Sequence, residues 1–110
     1  MKKSDINFTI GLDENQIPEE ITWKAEDNGD KGAADAVMLA IWDSMDKNTL
    51  RIDLWTKHMM VDDMKLFTYQ SMLTMADTFA RATGEEKMAQ EMRDFAMQFG
   101  QKMELIKPAE

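Results

Sequence analysis

Between Asn48 and Phe95 the periodicity of the chain changes once. Leu50, Ile52 and Leu54 alternate with Arg51, Asp53 and Trp55, the period-2 signature of a strand. From Asp62 onward apolar residues recur three and four apart, the signature of amphipathic helices. A chain of 110 residues carrying both patterns is expected to form one α+β domain, residues 1–110. A domain of this size buries roughly two-thirds of its unfolded surface, enough for one core without staples.

The remaining elements follow from the same reasoning. Ile6, Phe8, Ile10 and Leu12 alternate with Asn7, Thr9 and Gly11, which predicts a half-buried first strand. Gly11 marks a bulge or a close backbone approach. A polar turn follows at Asp13-Glu14-Asn15-Gln16, and a second strand runs from about Glu19 to Lys24. The short link makes these two a hairpin. Asp-Asn-Gly-Asp-Lys-Gly, within Glu26 to Gly32, is loop chemistry because Asn and Gly tolerate positive φ. Val37, Ile41 and Met45, widened by Met38 and Trp42, predict a helix over Ala33 to Lys47. A third strand is expected over Thr49 to Lys57.

Asp62-Asp63 is suited to cap the next helix, which runs to about Ala82. Its apolar stripes, Leu66-Tyr69-Leu73-Ala76-Ala80 and Met64-Met72-Met75-Phe79, cover more than half its circumference. Thr83 and Glu86 have capping-box spacing for a last helix. Along it Met88, Met92, Phe95, Phe99, Met103 and Ile106 form one stripe, and Pro108 closes the chain. The expected order is therefore β-β-α-β-α-α. It gives a three-stranded antiparallel sheet in the order 2-1-3, with the helices packed on one face.

Composition narrows the function classes. The net charge is −8, and seven acids against two bases between Asp13 and Lys31 leave −5 in that span alone. Phosphate contacts need a basic face, so nucleic acid is not an expected partner. The longest apolar run, Ala36 to Trp42, is far short of a membrane span, so no membrane insertion is expected. The chain has no cysteine, and Asp5 and Asn7 interrupt any signal-peptide core, which together predict a soluble cytoplasmic protein. The acidic span serves solubility or meets a basic partner. The twelve methionines fill an irregular core or line an adaptable groove.

Catalytic sets are missing. His58 is the only histidine; with no cysteine and no G-x-S-x-G elbow it builds neither a triad nor a zinc site, and an exposed loop or cap role is expected. Asp27 as the start of a calcium loop fails, because Gly29 and Lys31 fall where oxygen ligands are needed. Asp62-Asp63 and Glu85-Glu86 sit at predicted helix starts, where they answer the helix dipole. Asp43 and Asp46 fall on the wet side of the predicted first helix. No phosphate loop occurs, and no cofactor is implied.

Trp55 is the residue of most interest. If helices cover only one sheet face, Trp55 lies partly exposed beside Arg51, and Trp and Arg are residues that anchor protein interfaces. Strand curvature or a loop would instead bury it. Met59 and Met60 follow and extend the candidate protein-interaction surface, which comprises Arg51, Trp55, Met59 and Met60. Open sheet edges and a Trp55 face also allow a homodimer.

TLRIDLWTK, followed closely by MADTFARATG and MRDF, resembles the GldC family of bacterial gliding-motility proteins. FTIGLDENQIPEEITW resembles the start of that family. The resemblance implies an accessory protein of surface motility, with no activity assigned and no site residue to carry over. Its setting is linked to a secretion machine and envelope lipoproteins. Together with the missing catalytic sets, it suggests a non-enzymatic adaptor whose protein partners belong to motility or secretion machinery. The alternative is an acidic chaperone-like module for an exported or secreted protein.

Overall fold

The computed structural model describes residues 1–107. They group into two compact units, one ending at Met59 and one beginning at Met60.

The first unit is all β. Strands β1 (Ile6–Leu12) and β2 (Pro18–Ala25) pair antiparallel, with Ile6 opposite Ala25 and Ile10 opposite Ile21. The register shifts between Gly11 and Leu12, where the sequence suggests a bulge. In the connecting turn the Asp13 carboxylate accepts the N–H groups of Asn15 (2.8 Å) and Ile17 (3.1 Å). A second turn has Gly29 at φ +72°, as the Asn-Gly chemistry predicts. It leads into β3 (Lys31–Ala34), which pairs antiparallel with β2. Gly32 lies opposite Trp23, and a Cβ there would stand 2.8 Å from the indole Nε1, so the ring occupies the space a side chain would need.

At Asp35 the chain leaves this sheet. β4 (Ala36–Asp43) and β5 (Asn48–Trp55) then form a separate two-stranded antiparallel sheet. The hairpin turn holds Lys47 at φ +50°, and the Asp43 carboxylate accepts the N–H of Met45 at 3.0 Å. Ile21 and Thr56 are the buried side chains of this unit among the described residues.

The helix expected over residues 33–47 does not form; that stretch holds the end of β3, β4 and the hairpin turn. In Ala36 to Trp42 every position is apolar, so a helical stripe and a strand alternation fit equally well. The ladder with β5 decides, since it pairs Val37 with Leu54, Leu39 with Ile52 and Ile41 with Leu50. Asp43 and Asp46 accordingly lie at a strand end and in a turn. The sheet order is β1-β2-β3, not 2-1-3, because the strand expected to flank β1 is β5, which pairs with β4. The element order is β-β-β-β-β-α-α, with two helices instead of three.

The second unit is a helical hairpin of α1 (Val61–Thr83) and α2 (Glu86–Lys102). Gly84 ends α1 in the left-handed region at φ +74°, and its N–H reaches the Ala80 carbonyl at 2.9 Å. Asp62 and Asp63 lie in the first turn of α1, while the N-cap is Met60, with no side-chain hydrogen bond. The acids thus act through charge on the helix dipole and not as caps. The expected Thr83–Glu86 capping box is not formed. Thr83 is still inside α1, where its hydroxyl donates to the Phe79 carbonyl and accepts the Glu85 N–H. Pro108 lies outside the described residues.

Small side chains hold the helices together. Ala76 and Ala80 of α1 and Ala89, Ala96 and Gly100 of α2 are buried with Tyr69. Residues without bulk let two helix backbones approach closely. Tyr69 lies against Gly100, and its hydroxyl donates to Met97 Sδ at 3.5 Å. Arg93 of α2 reaches Asp77 of α1 at 3.1 Å. Met72, Met75, Met92 and Phe95 line an apolar pocket of about 260 Å³ on this hairpin.

Candidate protein-binding surface

Alternation along β5 sorts its side chains onto two faces. Thr49, Arg51, Asp53 and Trp55 share one, opposite Trp42, Ala40, Met38 and Ala36 of β4. Leu50, Ile52 and Leu54 share the other. Trp55 is 58% exposed and Trp42 is 62% exposed, so the first face carries an open indole near each end.

Between the two indoles lies a closed ion pair. Arg51 donates to both oxygens of Asp53, Nε at 3.0 Å and Nη2 at 2.9 Å, in the bidentate geometry that orients both groups. The hydrogen bond from Arg51 holds the Asp53 carboxyl below its ordinary range and, reciprocally, raises the guanidinium. Both side chains are open to water, which screens the pair; its consequence is orientation more than stability.

A shallow pocket of about 300 Å³ adjoins Trp55, lined by Ile17, Pro18, Asp53, Leu54 and Trp55. Ile17 and Pro18 are far from Trp55 in sequence and reach the site through the backbone. The Lys57 N–H donates to the Pro18 carbonyl at 3.0 Å, which joins the start of β2 to the end of β5. The Lys57 ammonium lies 3.3 Å from both Asp13 and Glu19. Glu19 and then Asp13 raise the Lys57 pKa by accepting its hydrogen bonds. The Asp13 carboxyl is lowered, chiefly by the Ile17 N–H it accepts. Thr56, between Trp55 and Lys57, is buried; its N–H donates to the Asp35 carbonyl at 2.8 Å, and its hydroxyl accepts the His58 N–H at 3.2 Å. Trp55 is thus held at the end of a strand whose next two residues are both tied down.

Of the four residues singled out from sequence, Arg51 and Trp55 share one face of β5. Met59 is half-buried at the end of the first unit, and Met60 is the exposed N-cap residue of α1. Neither lines the Trp55 pocket. Ile17 and Pro18 do, and no local pattern points to them, because only the long-range hydrogen bond from the Lys57 N–H to the Pro18 carbonyl brings them there. A helical reading of residues 33–47 hides the place of Trp42 on this face. His58 is exposed in the turn after β5.

The arrangement offers an apolar anchor beside a preset ion pair, which are features of protein-recognition surfaces. A family model described as gliding motility-associated protein GldC-like matches residues 18–105, from the start of β2 through α2. No curated protein and no solved structure matches the chain. Among the described residues, no helix is long and apolar enough to cross a membrane.

Proposed function

This chain belongs to the GldC-like family of gliding motility-associated proteins, and from that premise we propose that it serves motility as a non-enzymatic adaptor. The adaptor grips a protein partner of the motility or secretion machinery on the Trp55 face of β5. The observation that carries this reading is the open Trp55 indole beside a pocket shaped by Ile17 and Pro18. An exposed Trp is a large apolar surface left in water, and a partner that covers it gains free energy that folding has left unused. Arg51 and Asp53 supply a hydrogen-bonding rim with fixed orientation. Asp13 and Glu19 share the single Lys57 ammonium, so one net negative charge remains next to Pro18 and favours a partner with a basic residue at its edge. We place the adaptor in the cytoplasm.

The test is a tagged pull-down from the native host, with wild type beside Trp55→Ala. A motility or secretion component retained by wild type and lost by the variant, with the melting temperature nearly unchanged, supports the reading. Retention of the same component by Trp55→Ala overturns it. Capture of many unrelated exported proteins by both would favour a chaperone. Fractionation of the tagged protein to the envelope would overturn the cytoplasmic placement.

A further inference from the structure

The turn between β2 and β3 carries an asparagine followed directly by a glycine, Asn28-Gly29, and both are exposed. The Asn28 side chain is held in place, because its Oδ1 accepts the Asp30 N–H at 3.1 Å. Gly29 stands at φ +72°, and a Cβ built there would meet nothing within 4 Å. The Gly29 N–H has no hydrogen-bond partner among the described residues. The β2–β3 ladder closes just beyond, where the Ala25 N–H donates to the Asp30 carbonyl at 2.8 Å. All of these groups lie within one turn, so their chemistry is set locally.

We propose that Asn28 is a deamidation site, where the folded chain converts its own amide to a carboxylate without an enzyme. The Gly29 nitrogen loses its proton to hydroxide and attacks Asn28 Cγ. The N–Cγ bond forms and the Cγ–Nδ2 bond breaks. The leaving nitrogen takes a proton from water and departs as ammonia, which restores the hydroxide. Water then opens the resulting five-membered imide. Opening at Cγ gives aspartate; opening at the main-chain carbonyl gives isoaspartate, whose backbone runs through Cβ and Cγ. Three features of the turn favour the first step. The nucleophile and its target belong to adjacent residues, so the attack is intramolecular. The Asp30 N–H points at Oδ1, where negative charge develops as Cγ becomes tetrahedral. Gly29 brings no side chain to crowd the attack, and its N–H has no bond to give up.

The other asparagines lack this set. Asn7 and Asn48 lie in β1 and β5, followed by Phe8 and the β-branched Thr49. Asn15 is followed by Gln16, whose N–H is already given to the Asp13 carbonyl at 3.0 Å. Reaction at Asn28 has two consequences. Either product adds one negative charge to a chain already at −8, and places it among Glu26, Asp27 and Asp30, where like charges repel. Isoaspartate also inserts one carbon into a backbone turn that sets the register of β2 against β3, so the pairing loosens at Ala25. The turn thus carries a one-way change of charge and length.

Ageing the full chain in native buffer at mildly alkaline pH, with peptide mapping of Asn7, Asn15, Asn28 and Asn48, tests this. Asn28 is expected to deamidate at least about tenfold faster than the other three. A carboxyl methyltransferase specific for isoaspartate is expected to label the aged chain and to leave an Asn28→Gln chain, aged alongside, unlabelled. The same chain unfolded in urea supplies a reference rate. The native rate is expected to stay within about tenfold of it, because an exposed turn reacts without global unfolding. The isoaspartyl fraction is expected to exchange its Ala25 amide faster than an Asn28→Asp chain, which has the charge without the extra carbon. An Asn28 that reacts no faster than the other asparagines overturns the proposal, as does a native rate suppressed more than about tenfold below the unfolded one. Equal labelling of the Asn28→Gln chain overturns it too, and equal Ala25 exchange overturns the loosening of β3. None of these failures bears on the Trp55 adaptor surface.

Discussion

Gly100→Ala separates two opposed effects of one methyl group. In an exposed helix the change stabilises by about 0.5–1 kcal/mol, because Gly loses more backbone entropy on folding. At Gly100 the new Cβ would stand 2.8 Å from Tyr69 Cε1, 3.1 Å from Cδ1 and 3.2 Å from Ile106 Cδ1. The Tyr69 atoms belong to the side of a rigid, buried ring whose hydroxyl is bonded to Met97, so the ring cannot simply swing aside. Overpacking of this kind costs about 1–3 kcal/mol. The clash wins, and the net expectation is a loss of about 1–2 kcal/mol, or roughly 4–8 °C in melting temperature per kcal/mol at most for a chain of this size. Thermal unfolding followed by helical circular dichroism measures it. Combining Gly100→Ala with Tyr69→Leu should shrink the penalty of the added methyl, since the clashing ring atoms are gone, and a double-mutant cycle reads that coupling. A Gly100→Ala chain that melts above wild type would show that helix propensity outweighs packing here, and would refute the close ring contact.

Thr56→Val removes a buried hydroxyl that serves the His58 N–H and faces Asp35, and is expected to cost about 1–3 kcal/mol, with Thr56→Ser largely retaining stability; equal melting of the Thr56→Val chain and wild type would contradict this. Asp13 is expected to titrate below its ordinary 3.8, and Lys57→Ala to bring it part of the way back, measured by carboxyl NMR shifts. Because the folded pKa of Asp13 is depressed, its contribution is present above the unfolded value and is lost as pH falls through the folded one. The Lys57 pKa is raised, so its contribution is complete below the ordinary 10.5 and is lost as pH rises through the folded value. Trp55→Ala is expected to lower the melting temperature by only a few degrees, since the indole is mostly in water; a collapse of the fold would mean that the ring is structural.

The β1–β2 hairpin, β5, α1 and α2 are legible in the sequence because each has a local reason to form. The first two strands and β5 alternate cleanly, and the helices carry long stripes closed by Gly84. Local pattern fails at Ala36 to Trp42, where an unbroken apolar run satisfies both periods. The same ambiguity conceals half of the candidate surface: Trp42 shares a face with Trp55 only once β4 is a strand.

Taken alone, the sequence determines the α+β class, the family and the pairing of Arg51 with Trp55 on one strand face, because charge, period and motif are properties of neighbours along the chain. The tertiary structure decides that β5 joins β4 instead of β1, that Ile17 and Pro18 stand beside Trp55, and that Trp42 shares the Trp55 face. Those outcomes depend on backbone hydrogen bonds between residues far apart in sequence, such as Lys57 with Pro18, and no local preference encodes which distant partner a strand will meet.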